Sequence, residues 1–472
     1  MKKIFIYMGI AAAAILSTGC DVQEFLDVKP RGKDLATKID HFVGQINHTN
    51  IISVTGNLVY ANMGEELTNY PSPLERLQTQ QKEPGLFAFQ YKDDPFRGDV
   101  ASAEWDASYA KIYQYNTIIA NVMNAEDGTE EQKKAIKAEA RMQRAFLHFY
   151  TSIFFSKPYN ASTASTDLSI PIVTEANTNG SENYKRATVA ELYDWVTSEM
   201  KEAIADLPDG YGLTRCYSGP ANVILGRVYW YMGDYANALK YLQTGYGIIK
   251  ANSKYAFLSY RTSDKTWKGT KAFYNTYPDP WANSETVLIR YNTMTDLVNE
   301  TNPILFIKPE YVAMYKEGDL RINHLTKHAA TGGMRPAGRR YLNTMVELPE
   351  LYFMLAECEA RTGSEDTARQ LMLEYRKSRF ATDEAAAIPA EVATREDLIK
   401  FIVNERILEY PARGASVIDM KRLWNDPVFQ FKKAAFTHTV VGGETYTMDA
   451  SSQLTWKIPY TVKKYHSDWM DN

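Results

Sequence analysis

A chain of 472 residues with a hydrophobic fraction of 45% can bury a sizeable core, as one large domain or two to three ordinary ones. Its 53 basic and 57 acidic side chains leave a net charge of −4, which excludes the basic surplus expected of a nucleic-acid binder. Its 32 Tyr, 19 Phe and 8 Trp suit a helical core with polar rims or a surface that stacks on ligands.

The first element is a leader. Two lysines (Lys2, Lys3) precede a short apolar run from Ile4 to Leu16, then Ser17, Thr18, Gly19 and Cys20. The pattern predicts a secretory signal peptide over residues 1–19, too short to span a bilayer comfortably. Cys20 follows small residues, as in the acceptor site of a bacterial lipoprotein. The usual leucine lies three before the cysteine; here Leu16 is four before, with Ser17 in its place. Lipid on Cys20 would hold the mature chain on a membrane surface outside the cytoplasm. The alternative is an ordinary cleaved signal with a chance cysteine. No second apolar stretch approaches spanning length.

Helical periodicity begins at Trp105, with Tyr109, Ile112, Tyr113, Asn116 and Ile119 at steps of mostly three and four. Thr129-x-x-Gln132 is a capping box that opens a helix through Met142, Ala145, Phe149 and Ile153. Thr188-x-x-Glu191 opens another, to about Leu207, where Pro208 stops it. From Ala221 to Leu242 the chain carries the tetratricopeptide pattern: Leu225-Gly226, Tyr229, Gly233, Ala238 and Leu242. There Gly226 predicts close helix contact and Gly233-Asp234 the turn. Leu355, Ala356, Gly363, Ala368 and Met372 repeat those offsets. Thr394-x-x-Asp397 opens a last helix, to Tyr410 before Pro411. Long irregular stretches remain at 50–100, 157–187, 251–345 and 425–472; loops of that length and aromatic content predict ordered, functional structure. The expected fold is mostly α: tetratricopeptide-like helical hairpins packed against a loop-rich irregular half with few short strands. No linker divides the chain, so residues 20–472 are expected to form a single domain. Cys216 and Cys358 are expected as buried free thiols.

Several of these strings resemble one family, the SusD/RagB-type outer-membrane nutrient-binding lipoproteins of Bacteroidetes. Phe25 to Gly32 resembles its opening signature, and Trp105 to Asn121 its first helix. Arg186 to Pro208 resembles its mid-chain helix, and Leu351 to Ala360 its late tetratricopeptide helix. Asn404 to Glu409, Arg413-Gly414 and Asp419 to Arg422 resemble its best-known block, and Trp456 to Pro459 its closing motif. Ser416 departs from the family, which often carries Arg there, and so removes one ion pair. The resemblance implies an outer-membrane, surface-exposed lipoprotein that captures oligosaccharides, or in some members peptides. It implies a partner, a SusC-like TonB-dependent outer-membrane transporter, and membrane contact through the lipid alone. It implies no catalysis and no cofactor. Asp21, Glu24 and Asp27 resemble the export signal of surface lipoproteins in that phylum.

Ligand-binding positions vary in such a family, so candidates come from the residues themselves. Trp267, Tyr274, Tyr277 and Trp281 share a loop with Pro278 and Pro280, which restrict the backbone and hold rings at fixed angles. Tyr60, Tyr70, Phe87, Tyr91 and Phe96 form a second set; the competing reading is that these rings plug loops onto the helical layer. His324 and His328 would share a helical face, but Leu325 replaces the glutamate of a zinc-protease motif, so a solvated helix face is expected and no metal. Gly332-Gly333 with Arg335, Arg339 and Arg340 reads as a basic flexible loop. Glu65-Glu66 and Asp93-Asp94 could supply paired carboxylates for glycoside hydrolysis, but that spacing is set by the fold and not by neighbours in sequence, and no hydrolase chemistry is expected. Glu405, Arg406, Glu409, Asp419 and Arg422 read as a structural charge network. A third class, a tetratricopeptide scaffold that only docks proteins, is distinguished by its failure to bind glycans.

Overall fold

The computed structural model describes residues 36–53, 59–77, 83–177, 184–210, 212–262, 281, 283–293, 305–336, 341–429, 436–448 and 450–471. The leader, Cys20, Trp267, Tyr274 and Tyr277 lie outside the described residues.

The chain enters through two short helices, α1 (Ile39–Ile46) and α2 (Thr49–Ile52), whose Phe42, Ile46 and Ile51 share a core patch with Ile112 and Tyr115. Two more, α3 (Pro71–Leu77) and α4 (Glu83–Phe89), fall in the first irregular stretch. The long helices follow: α5 (Ala103–Asn121) and α6 (Glu130–Phe155) pack as a pair, and α7 (Val189–Asp206) lies on α6. Next come α8 (Ser218–Met232) and α9 (Tyr235–Lys250), then the single turn α10 (Pro309–Val312). The last group is α11 (Leu348–Thr362), α12 (Glu365–Arg379), α13 (Arg395–Glu409), α14 (Ala415–Arg422) and the short α15 (Tyr460–Lys463).

The starts of these helices lie where the threonines place them. At Thr129, Thr188 and Thr394 the hydroxyl accepts the N3 backbone N–H, and the N3 side chain returns a bond to the cap. Two otherwise unpaired donors are satisfied at each site. The α8–α9 hairpin closes through Gly233, in the left-handed region at φ 79°, and Asp234, which accepts the Asn237 N–H. A Cβ on Gly226 would lie 2.7 Å from Leu242 Cγ, so glycine is what lets the two helices touch. Tyr229 stacks on Tyr241 across the same interface. The hairpins then stack in sequence, α9 against α11 and α11 against α13.

Short strands occupy the irregular stretches: β1 (Leu67–Thr68), β2 (Thr286–Leu288), β3 (Tyr291–Thr293), β4 (Phe306–Ile307), β5 (Leu325–Lys327), β6 (Met334–Pro336), β7 (Tyr341–Asn343), β8 (Val346–Glu347), β9 (Phe436–Thr439) and β10 (Thr445–Met448). They pair as an antiparallel sheet in the order β1-β4-β6-β5 and as three two-stranded ribbons, β2–β8, β3–β7 and β9–β10. Two expectations change here. His324 ends a 3-10 turn and His328 follows a strand, so they share no helical face. Arg335 lies on β6 and is buried, not on a flexible loop. Cys216 and Cys358 are buried free thiols, as expected. The largest core cluster draws on residues from Val59 to Trp469, so strands and helices share one apolar interior.

The Gly226 contact yields a test. Gly226→Leu overpacks against Leu242 and is expected to cost about 1–3 kcal/mol, read as a lowered thermal midpoint. An unchanged midpoint would contradict the close approach of α8 and α9.

Candidate functional site

Burial sorts the aromatic candidates. Phe96 is 2% exposed, edge-on to Trp456, so it belongs to the core and offers no face to a ligand. Tyr60 is buried on Phe154, and Tyr91 is buried on His438, to which its hydroxyl bonds at 2.8 Å. Phe87 lies under the Arg97 guanidinium. These rings plug the first irregular stretch onto the helices. Tyr70 is half-buried, edge-to-face with Phe306 at 4.8 Å, above Gly333. Trp281 behaves differently. It is 43% exposed and its ring meets Tyr291 of β3 at 5.8 Å and 72°, an edge contact that fixes the indole without covering it. Tyr291 is carried on the β3–β7 ribbon, opposite Asn343, and bridges to Ser53 at the end of α2.

Ser53 connects this pair to a feature that sequence reasoning missed. A groove of about 730 Å3 runs between α1–α2 and α5, with Tyr113 on one wall and Gln45 and Asn50 on the other. Tyr113 was legible only as a periodic helix position, yet it is 39% exposed. The available signal was composition: α5 carries no charge from Ile112 to Asn121, unusual where a face reaches solvent. A second cavity, of about 100 Å3, lies among Tyr150, Arg227, Trp230 and Arg406.

Glu66 and Asp93, one from each carboxylate pair, are engaged by other side chains. Glu66 is 1% exposed, and its oxygens accept the Ala412 N–H at 2.9 Å and the Ser416 hydroxyl at 2.5 Å. Ser416 thus gives a hydrogen bond to a buried acid. Burial, then the charge of Glu66, pushes Glu65 up to about 7, so it is held close to its neutral form. Asp93 pairs with Lys457 at 3.3 Å. Among the described residues no cluster of three or more His, Cys, Asp or Glu forms a metal site.

Comparison with known proteins agrees with this architecture. A sequence family described as the SusD family matches residues 226–465, and one described as starch-binding associating with outer membrane matches residues 24–230. The chain belongs to the SusD family. Its fold is similar to that of a SusD superfamily protein from Bacteroides fragilis at 20% identity and TM-score 0.69, covering 92% of this chain and 99% of that one. A SusD superfamily protein from Bacteroides vulgatus gives 15% identity, TM-score 0.69 and coverage of 92% and 98%. A laminarin binding SusD-like protein gives 16% identity, TM-score 0.60 and coverage of 90% and 96%. No curated protein sequence matches this chain.

In this SusD-family chain the charged block of the late helices is structural, as its residues implied, and wider than two helices. Arg406 of α13 forks onto Glu350 of α11 at 2.9 Å for both bonds and reaches Asp419 of α14 at 2.7 Å. Arg422 bonds Asp419 at 2.8 Å and Glu357 at 2.7 and 2.9 Å, lying over the Trp230 ring. Glu409 accepts from Arg379 at 3.0 Å, and Arg376 pairs with Glu405. Burial alone would raise Glu357, but Arg422, Arg361 and Trp230 more than offset it and hold its carboxyl at about 2. A carboxyl depressed in the fold contributes stability above its ordinary value of 4.5 and loses it as pH falls toward 2. Arg422→Met is therefore expected to cost about 3–5 kcal/mol at neutral pH, because it takes one of two arginines from each of two buried carboxylates, leaving Glu357 to Arg361 and Asp419 to Arg406. Urea unfolding measures this, and the gap from wild type is expected to narrow as pH drops below about 4.5. A uniform gap across pH would place the loss in packing over Trp230 instead.

Proposed function

We propose that residues 20–472 act as one non-catalytic, lipid-anchored unit that captures neutral oligosaccharide outside the cell. The observation that carries this reading is the exposed Trp281 ring held by Tyr291. An indole fixed at its edge and open to solvent stacks on the apolar face of a sugar ring, burying hydrocarbon without needing charge. Membership of the SusD family supports a carbohydrate ligand, and the laminarin-binding neighbour makes laminarin the first glycan to try. Trp267, Tyr274 and Tyr277 of the same loop are proposed to complete the stacking surface, with Tyr70 as a secondary contact. Delivery of the glycan to a SusC-like TonB-dependent transporter, with the protein as its lid in the outer membrane, is part of the proposal. Among the described residues no helix is long and apolar enough to cross a membrane, which leaves the lipid on Cys20 as the proposed attachment.

Trp281→Ala is expected to weaken glycan binding by roughly 1–3 kcal/mol, about ten- to a hundredfold, with little change in melting temperature. Calorimetric titration beside a melting curve checks both. Normal affinity with a large fall in melting temperature would make Trp281 a structural plug.

Cys20→Ala is expected to release the protein or leave it unprocessed, since a multiply acylated cysteine exceeds what stable attachment requires. Fractionation after salt and carbonate washes reads the outcome. Full retention in the membrane by the variant would refute the anchor.

A further inference from the structure

The groove between α1–α2 and α5 has an unusual lining for this chain. Its walls include Tyr113, Gln114, Gln45, Asn50, His41 and His48, and among the described residues no Asp, Glu, Lys or Arg contributes to it. Charged residues make up 23% of the chain, so an uncharged polar groove of about 730 Å3 selects against charged ligands. Amides and imidazoles donate and accept hydrogen bonds, which matches hydroxyl groups that do both. The Nδ1 atoms of His41 and His48 already accept the backbone N–H groups of Thr37 and Asn50, each at 3.3 Å. In the neutral rings this leaves Nε2–H as the donor. Gln45 also lines the groove; its Oε1 is buried and has no hydrogen-bond partner among the described residues. Tyr113, 39% exposed, supplies a ring on the opposite wall.

We infer that this groove is a second carbohydrate subsite, taking neutral sugar residues of a chain whose other end stacks on Trp281. The inference rests on the glycan-capture reading and extends it to the length of ligand. Asn50 lies on α2, about 5 Å along the helix axis from Ser53. Ser53 is the bridge partner of Tyr291, against which Trp281 packs. Groove and rings are thus linked through Ser53 and Tyr291, and the inferred ligand is one of several sugar units, long enough to span that link. Gly44 keeps the groove open: it is helical and exposed, and a Cβ there meets nothing within 4 Å. A larger side chain at this position blocks the groove while favouring the helix.

The test uses the mature chain carrying Cys20→Ala and a panel of laminarin, amylopectin, arabinan, galactomannan and xyloglucan, with short and long oligosaccharides of whichever glycan binds. Gly44→Leu and Tyr113→Ala are each expected to weaken the long oligosaccharide roughly tenfold or more, to affect the shortest far less, and to leave the melting temperature unchanged. If Trp281→Ala weakens binding while both groove variants match wild type at every length, the groove inference is overturned and glycan capture stands. If Gly44→Leu lowers the melting temperature with affinity unchanged, the groove holds the protein's own chain and the inference fails. If wild type binds none of the panel, glycan capture falls and the groove with it.

Discussion

The position of the loop-rich half depends on buried guanidinium–carboxylate bonds. Arg379 of α12 is fully buried and bonds both Glu409 of α13 and Glu285 at the entry to β2. Glu285 in turn accepts the Leu258 N–H at 2.9 Å and, through its backbone oxygen, the Leu348 N–H that starts α11. One arginine thus joins two helices, a loop and a strand. Trp281 lies four residues ahead of Glu285 in the chain and packs its ring on Tyr291. Paired charges in an interior add little net stability over apolar packing, because desolvation cancels much of the attraction. Their directionality is the gain: a fork of N–H donors meets a carboxylate in one geometry, and the irregular half is registered on the helical half by such forks.

Helices and loops divide the work accordingly. The hairpins supply apolar interfaces with small residues at the contacts, as where Gly226 meets Leu242 and Gly245 meets Val223. The strands are too short to form an independent layer and are held by the helices beneath them. Exposed rings and open grooves are left to the segments that the scaffold positions, which is where binding residues commonly sit.

Several buried charges are compensated by opposite ones: Arg321 by Asp319 and Glu405, Arg422 by Glu357 and Asp419. Among the described residues the groove beside α5 is lined by no charged side chain. A ligand rich in hydroxyls and free of charge meets surfaces that can hydrogen-bond to it without stripping water from an ion, which is the cheaper desolvation.

Local signals in the sequence determined the helices. The three capping boxes, the Gly233-Asp234 turn and the repeat spacing act over three to eight residues, and each appears in the structure as read. The charge block of α13 and α14 was legible for a related reason, since carboxylates and arginines at helical spacing on apolar segments need partners. Family membership was also carried by short strings in their order along the chain. What the sequence left open is what depends on distant contacts. Nothing local distinguishes Phe96, sealed by Trp456, from Trp281, left open beside Tyr291; burial is decided by segments hundreds of residues apart. The spacing of His324 and His328 assumed a helix that strand pairing with Met334 and Pro336 overrides. The groove is assembled from α1–α2 and α5, elements that share no motif, and only their packing on a common core brings Gln45, Asn50 and Tyr113 to face one another.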